Sequence, residues 1–406
     1  MKRFTLIAAI LLLASCGPRE GIRRATPKSQ GMDAARLELI DSAVNASICA
    51  GDIPGAVVGV VRHGRLVYEK AFGLKSVVPV KDSMTLETMF DLASVSKCVG
   101  TTLCFMQLVE MGKVRLLDPV SRYIPDFAPW EDPKTHEKKR ITVQDLLTHA
   151  SGLDPYLRDV PGYVERFGAG TPDSLMQYIA TKSERHFKPG TDKLYSCLNF
   201  ITLQHILEKV TGERLCDYAQ ANVFDALGLK HTCYFPAVSP AHPELAPLCA
   251  PTEVLEDGHV LQAEVHDPTA RVVNLGNSGN AGVFSNVEDL AVISAALLNG
   301  GSWNGRRILA PLTVQKMFAV PAGNAPCVAR TLGWDTYYRE PYSSGDIFPL
   351  EQLRGHTGYT GTFLLLDPAT DTALILLANR VHPADTGSVS RLRAVVASIV
   401  ASSILR

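Results

Sequence analysis

Ser94 and Lys97 stand three residues apart in Ser94-Val-Ser-Lys97, a spacing that puts a hydroxyl and an amine on one face of a helix. An amine in that place can take the serine proton, and a serine relieved of its proton attacks acyl carbons. A lysine near a helix N-terminus and partly buried is expected to have a lowered pKa, which would leave the neutral amine that such a base requires. The plainer reading makes Ser94 a helix cap and Lys97 a solvated side chain, and on the pair alone that reading is favoured. Two further strings follow in order, Tyr195-Ser-Cys197 and His356-Thr357-Gly358. An S-x-x-K arises about once by chance in a chain of this size. The information therefore lies in order, spacing and context, and together the three strings describe a serine acyl-transfer site.

The elements that must hold these groups can be read from pattern. Asp33 can cap a helix with Leu37, Ile40, Val44 and Ile48 on one face, stopped by the stretch from Gly51 to Pro54. Gly55 to Val61 and Leu66 to Phe72 flank His63-Gly64 and predict a hairpin. A second hairpin is written near the other end, from Phe363 to Leu366 and from Thr372 to Ala378 around a turn at Asp367 to Asp371. The apolar stretch from Ala394 to Leu405 predicts a helix lying on that sheet. Ser94 opens a helix that carries Val99, Leu103, Met106 and Val109 toward a core. Between the hairpins the pattern is mostly helical, punctuated at Pro155, Pro161, Pro172, Pro189-Gly190 and Gly228. Ser285 with Glu288 predicts a capping box for a helix running to Leu298. The expectation is an α/β fold: an antiparallel sheet flanked by helices and assembled from both chain ends (32–92 and 286–406). A mostly helical domain (93–285) is inserted, with a cleft where the two meet.

The 406 residues are 46% hydrophobic and 20% charged, enough for a substantial core, and the net charge of -1 without dense basic runs argues against a nucleic-acid partner. Lys2 and Arg3 precede an apolar run from Phe4 to Leu13 that is too short to span a membrane and reads as a signal peptide (1–15). Residues 16–31 read as a tether. The other eight cysteines, from Cys49 to Cys327, lack C-x-x-C spacing, so no metal site is suggested and no pairing is assigned. No cofactor is expected.

Longer strings carry a resemblance. Phe90-Asp-Leu-Ala-Ser94-Val-Ser-Lys97, Leu116-Leu-Asp-Pro119 and Ile141-Thr-Val-Gln-Asp-Leu-Leu-Thr-His-Ala-Ser-Gly-Leu153 resemble successive signatures of the serine beta-lactamase-related family. Pro189-Gly190, Asn280-Ala-Gly-Val-Phe-Ser285 and Gly355-His-Thr-Gly-Tyr-Thr-Gly361 match it too. That family holds class C beta-lactamases, low-molecular-weight penicillin-binding DD-peptidases and esterases. The resemblance implies Ser94 as nucleophile, Lys97 as its base and Tyr195 as a second proton carrier. It also implies an oxyanion hole from the backbone N–H groups of Ser94 and Tyr359, with Thr357 and Gly358 on the strand edge that lines the cleft. Many relatives carry Lys where His356 stands, and a histidine supplies only a pH-dependent charge for a substrate carboxylate. Cys197 departs from the Asn usual in relatives, and a thiol is a poor partner for a substrate amide. His149 and Asp145 read as capping and packing residues, while His266-Asp267 and the string Asn379 to Pro383 resemble strings of a subset of the family and read as lining the cleft or fixing loops, none of them catalytic. Leu13-Ala-Ser-Cys16 resembles a bacterial lipobox, which implies acylation of Cys16 and an exported protein anchored in a membrane, facing the periplasm.

The expected function is an exported serine hydrolase working through an acyl-serine on peptidoglycan-type D-amino-acid peptides or related amides and esters. Three alternatives stand beside it: a broad esterase of small esters, a beta-lactamase, and a penicillin-binding or wall-sensing module with little turnover.

Overall fold

Asp33 caps the first α-helix as expected, after residues that already join the sheet edge through a bridge between Arg24 and Leu66. Its carboxylate accepts from the backbone N–H groups of Ala35 and Arg36 at 3.0 and 3.2 Å, satisfying donors that a helix start leaves open. Helical segments Ala34–Leu37 and Leu39–Cys49 follow, with Leu37, Ile40 and Val44 buried and Ile48 partly so. The computed structural model describes residues 21–337 and 342–405, so the expected signal peptide and Cys16 lie outside the described residues.

Strands β1 (Gly55–Arg62) and β2 (Arg65–Ser76) form the first hairpin, and His63 and Gly64 take φ of 51° and 63° at its turn. Two positive φ values match the turn twist to that of the strands. A short β3 (Asp82–Ser83) pairs with the end of β2. The chain rejoins this sheet only near its other end, through β4 (Arg354–Thr357), β5 (Phe363–Asp367) and β6 (Thr372–Ala378). The strand order is β4-β5-β6-β1-β2-β3, antiparallel throughout, and the two chain ends join where Val58 faces Leu376.

Every residue of β1 is buried, which requires cover on both faces of the sheet. Ala56, Val58 and Val60 pack with Val396, Ala397 and Val400 of the C-terminal helix Ser390–Ser403, while Val57 and Val61 pack with Leu290 and Ala291 of the helix Val287–Leu298. Each fully buried valine there contributes roughly 1.5–3 kcal/mol. Gly59 lets the second helix approach, since a Cβ at that position would meet Val287 Cγ1 at 2.3 Å.

The capping box expected at Ser285 is displaced by one residue. Ser285 is still in a strand, opposite Phe90, and its hydroxyl pairs with Thr232 at 2.8 Å. Asn286 caps instead, accepting the Asp289 N–H at 3.0 Å. Both residue types cap well, and the strand pairing decides between them. Among the described residues all eight cysteines are unpaired thiols, and no helix is long and apolar enough to cross a membrane.

Candidate active site

Immediately after the short strand Phe90–Asp91 the chain bends tightly, with Ala93 at φ 45°, a left-handed conformation unusual for alanine. Asp91 holds the bend. Its Oδ1 accepts the Ala93 N–H at 2.8 Å and its Oδ2 the His266 N–H at 2.7 Å. Ser94 follows in a single 3-10 turn, Ala93–Val95, half-buried. Lys97 opens a wider π-helical stretch to Thr102, before an α-helix takes over from Leu103.

Lys97 is wholly buried. Its Nζ reaches Ser94 Oγ at 2.9 Å, Asn280 O at 2.8 Å and Cys197 Sγ at 3.5 Å. Three acceptors match the three N–H bonds of an ammonium. The Tyr195 hydroxyl interacts with both Lys97 and Ser94, while its ring, 36% exposed, lines the cavity mouth. Burial disfavours the Lys97 cation, but Cys197 and Tyr195 favour it, and on balance its pKa is raised. This departs from the expectation of a lowered value: desolvation acts as anticipated, and it is outweighed by the attraction of Cys197 and Tyr195 in the pH range where they and Lys97 lose their protons together. Burial also raises the Tyr195 and Cys197 pKa values, with Lys97 opposing in both. At neutral pH the group therefore rests as ammonium, phenol and thiol.

His149 places Tyr195. Its carbonyl accepts the Leu194 N–H at 3.0 Å, its Nδ1 accepts the Ser196 N–H at 3.0 Å, and its ring packs against the Tyr195 ring at 4.4 Å between centroids, tilted by 32°. The sequence reading gave His149 a packing role, and the structure makes it the clamp on both flanks of Tyr195. Asp145 completes a capping box with Thr142, as expected of a capping residue.

The turn after β4 carries Tyr359, the second backbone donor that the resemblance implied. Thr360 Oγ1 donates to Asp91 O at 2.7 Å and Thr362 Oγ1 to Leu92 O at 2.9 Å, fastening residues 357–362 to the segment that precedes Ser94. Gly358 permits that approach, because a Cβ there would lie 2.5 Å from Leu92 O. The Tyr359 N–H has no backbone acceptor among the described residues. Its ring is held by His266, stacked at 5.7 Å, and by Arg380, at 4.5 Å from the ring centroid, and its hydroxyl bonds Asp385.

His356 does not supply charge. It is 5% exposed, its Nδ1 lies 2.8 Å from Thr357 O, and burial together with Arg330 and Lys97 pushes its pKa down to about 3. Fixed charge comes from arginines that line the cavity, Arg380, Arg393 and the deeply buried Arg330, the last of which sequence reasoning missed. Arg330 is 3% exposed, pairs with Asp335 at 3.2 Å and lies over the Tyr195 ring at 5.6 Å, while its Nε and Nη2 have no partner among the described residues. A cavity of 500 Å³ runs from Ser94 and Tyr195 past Arg330, His356 and Thr357 to Tyr359. No sequence pattern marks Arg330; only the fold brings it under Tyr195. Among the described residues, one group has metal-ligand chemistry: Asp154, Glu184 and His186. The His186 ring already bridges the two carboxylates, and none of the three lines the cavity.

The beta-lactamase family model matches residues 31–398. The chain belongs to that family. Within it this protein is a serine hydrolase. An N-acetylmuramyl-L-alanine amidase of Bacillus subtilis (strain 168) is 30% identical, with 94% of this chain and 91% of that protein covered. A Salmonella agona protein named "Putative D-alanyl-D-alanine carboxypeptidase" is 29% identical, with 94% and 92% covered. The solved structure of EstCE1, a hydrolase with promiscuous acyltransferase activity, superposes with a TM-score of 0.70 at 24% identity, over 90% of this chain and 99% of that one. That last likeness concerns the fold.

Proposed function

We propose that this beta-lactamase-family hydrolase cleaves D-amino-acid peptides, or the matching amides and esters, whose leaving group carries a free carboxylate. The observation that carries this reading is the buried Arg330, which lines the cavity that holds Ser94 and has two guanidinium nitrogens without a partner among the described residues. A guanidinium held in place by Asp335 suits a carboxylate. The names of the two relatives point to cell-wall peptides as the source.

In this mechanism one proton first leaves the Lys97–Tyr195 pair, which then takes the Ser94 proton as Oγ attacks the substrate carbonyl. The N–H groups of Ser94 and Tyr359 receive the negative charge on the carbonyl oxygen. As the bond to the leaving group breaks, the pair returns the proton to that group. Water then repeats the attack and releases Ser94. His149 keeps Tyr195 in place, and His356 acts as a neutral wall.

The resemblance of Leu13-Ala-Ser-Cys16 to a lipobox supports export and a lipid anchor on Cys16, with the enzyme facing the periplasm. Loss of membrane association in Cys16→Ser tests that part. The substrate reading is tested by comparing a D-Ala-D-Ala peptide with its C-terminal amide. Faster release of D-Ala from the free acid, abolished in Ser94→Ala, supports it; equal rates contradict it. Cys197 favours esterase action as a second reading, because a thiol gives an amide little to bond with.

A further inference from the structure

Arg393 lies in the first turn of the C-terminal helix Ser390–Ser403, is 7% exposed, and lines the cavity that holds Ser94. Its Nη2 donates to Gly358 O at 2.7 Å and to Thr362 O at 2.8 Å. Both carbonyls already have a backbone donor: the Gly361 N–H donates to Gly358 O at 3.2 Å and the Gly358 N–H to Thr362 O at 2.7 Å. The turn is therefore closed without the arginine, whose Nε is buried with no partner among the described residues.

A guanidinium in this place is costly to bury. It sits at the positive end of the helix macrodipole, and a buried cation without a counter-ion loses its hydration uncompensated. A second arginine on the same turn is balanced: Arg380 donates from Nε to Tyr359 O at 2.7 Å and pairs with Asp385 at 2.5 Å. Arg393 has no such ion pair among the described residues, and although burial lowers its pKa to about 10 it remains a cation at neutral pH. Of the two, only Arg393 brings uncompensated charge to the turn.

That charge meets one particular peptide. Gly358 O and the Tyr359 N–H belong to a single trans unit and point away from each other. Arg393 thus holds the carbonyl end of the peptide whose N–H end is the second oxyanion donor. Hydrogen bonds in series strengthen one another in a low-dielectric interior, most of all when one partner is an ion.

We propose that Arg393 fixes and polarises the Gly358–Tyr359 peptide, so that the Tyr359 N–H meets the oxyanion as a stronger donor than an ordinary backbone amide. Arg393 acts through the peptide and not on the reacting atoms, which makes it a positioning residue. The proposal rests on Ser94 being acylated with the Tyr359 N–H facing the carbonyl oxygen, and not on which acyl group is transferred.

The test compares p-nitrophenyl acetate with p-nitrophenyl thionoacetate, whose sulfur is a poor hydrogen-bond acceptor and makes little use of the oxyanion donors. In Arg393→Met and Arg393→Gln, both without the charge, kcat for the acetate falls about tenfold, less than the roughly 10²–10³ lost with a whole oxyanion donor. KM changes little, and the thionoacetate slows less, so the ratio of the two rates drops. Arg393→Lys keeps a cation and restores most of that ratio. The backbone donors left on Gly358 O and Thr362 O favour folding of the neutral variants, and having two of them guards against one that fails. Equal slowing of both esters would reduce Arg393 to a packing residue and overturn the proposal. So would unchanged rates in a folded neutral variant, or a rise in KM confined to peptides with a free carboxylate, which would make Arg393 a substrate ligand. A wild type that no fluorophosphonate labels contradicts the acyl-serine reading and this proposal with it; a labelled wild type whose ester ratio survives the loss of charge overturns this proposal alone.

Discussion

The Lys97 amine meets the Ser94 hydroxyl at 2.9 Å from a position with no solvent exposure, and it does so as a cation. The distance suits a proton transfer, but the resting protonation does not yet allow one. Lys97 and Tyr195 are coupled groups, and what titrates is the pair.

Acylation should therefore accelerate with rising pH. The Lys97 pKa is raised, so its base form is scarce at neutral pH and gains as pH climbs toward the pKa of the pair. Fluorophosphonate labelling measured from about pH 6 to 10 should rise about tenfold per unit until that pKa is passed, as expected for loss of one proton. Labelling that peaks near neutrality would mean that a neutral amine is present at rest.

His149→Ala should slow the chemistry without altering substrate affinity. It removes the acceptor for the Ser196 N–H and the ring under Tyr195. A buried donor left unsatisfied costs about 1–3 kcal/mol, and Tyr195 loses its fixed orientation. The expected result is a fall in kcat with little change in KM, partly restored in His149→Asn, whose side-chain oxygen can accept the same N–H. An unchanged kcat would reduce His149 to a packing residue.

Arg330→Gln, paired with Asp335→Asn so that no charge is stranded, should lower kcat/KM for a substrate with a free carboxylate by about 10- to 150-fold, the equivalent of one charge-assisted hydrogen bond. The amidated substrate should change little. His356→Asn should leave this discrimination intact at pH 7, because His356 is neutral there. Equal losses for both substrates would remove Arg330 from recognition.

Gly59→Ala should destabilise the fold by about 1–3 kcal/mol through overpacking, since the new Cβ would sit 2.3 Å from Val287 Cγ1. A lowered denaturation midpoint with an unchanged slope would show it. A midpoint equal to the wild type would mean that the Val287–Leu298 helix shifts freely over β1.

The hairpins were legible because apolar, β-branched runs and turn chemistry are local: His63-Gly64 and the Asp367 turn announce their strands. Ser94 and Lys97 were legible for the same reason, being neighbours on one helical face. What escaped depended on distant residues. Nothing near Lys97 says that Cys197, a hundred positions away, will sit at 3.5 Å and help raise its pKa. His356 looked like a charge because its burial beside Arg330 is a property of the fold. Arg330 itself stands in a stretch without pattern. The shift of a helix cap from Ser285 to Asn286 shows that strand pairing, invisible locally, can outrank a good capping residue.

The most direct test of Ser94 as the nucleophile and Lys97 as part of its base is intact mass after exposure to a fluorophosphonate, for the wild type, Ser94→Ala and Lys97→Met. One adduct on the wild type, none on Ser94→Ala, and labelling slowed about 10²- to 10⁴-fold in Lys97→Met is the predicted result. An adduct that persists in Ser94→Ala, or labelling at the wild-type rate in a folded Lys97→Met, would contradict it.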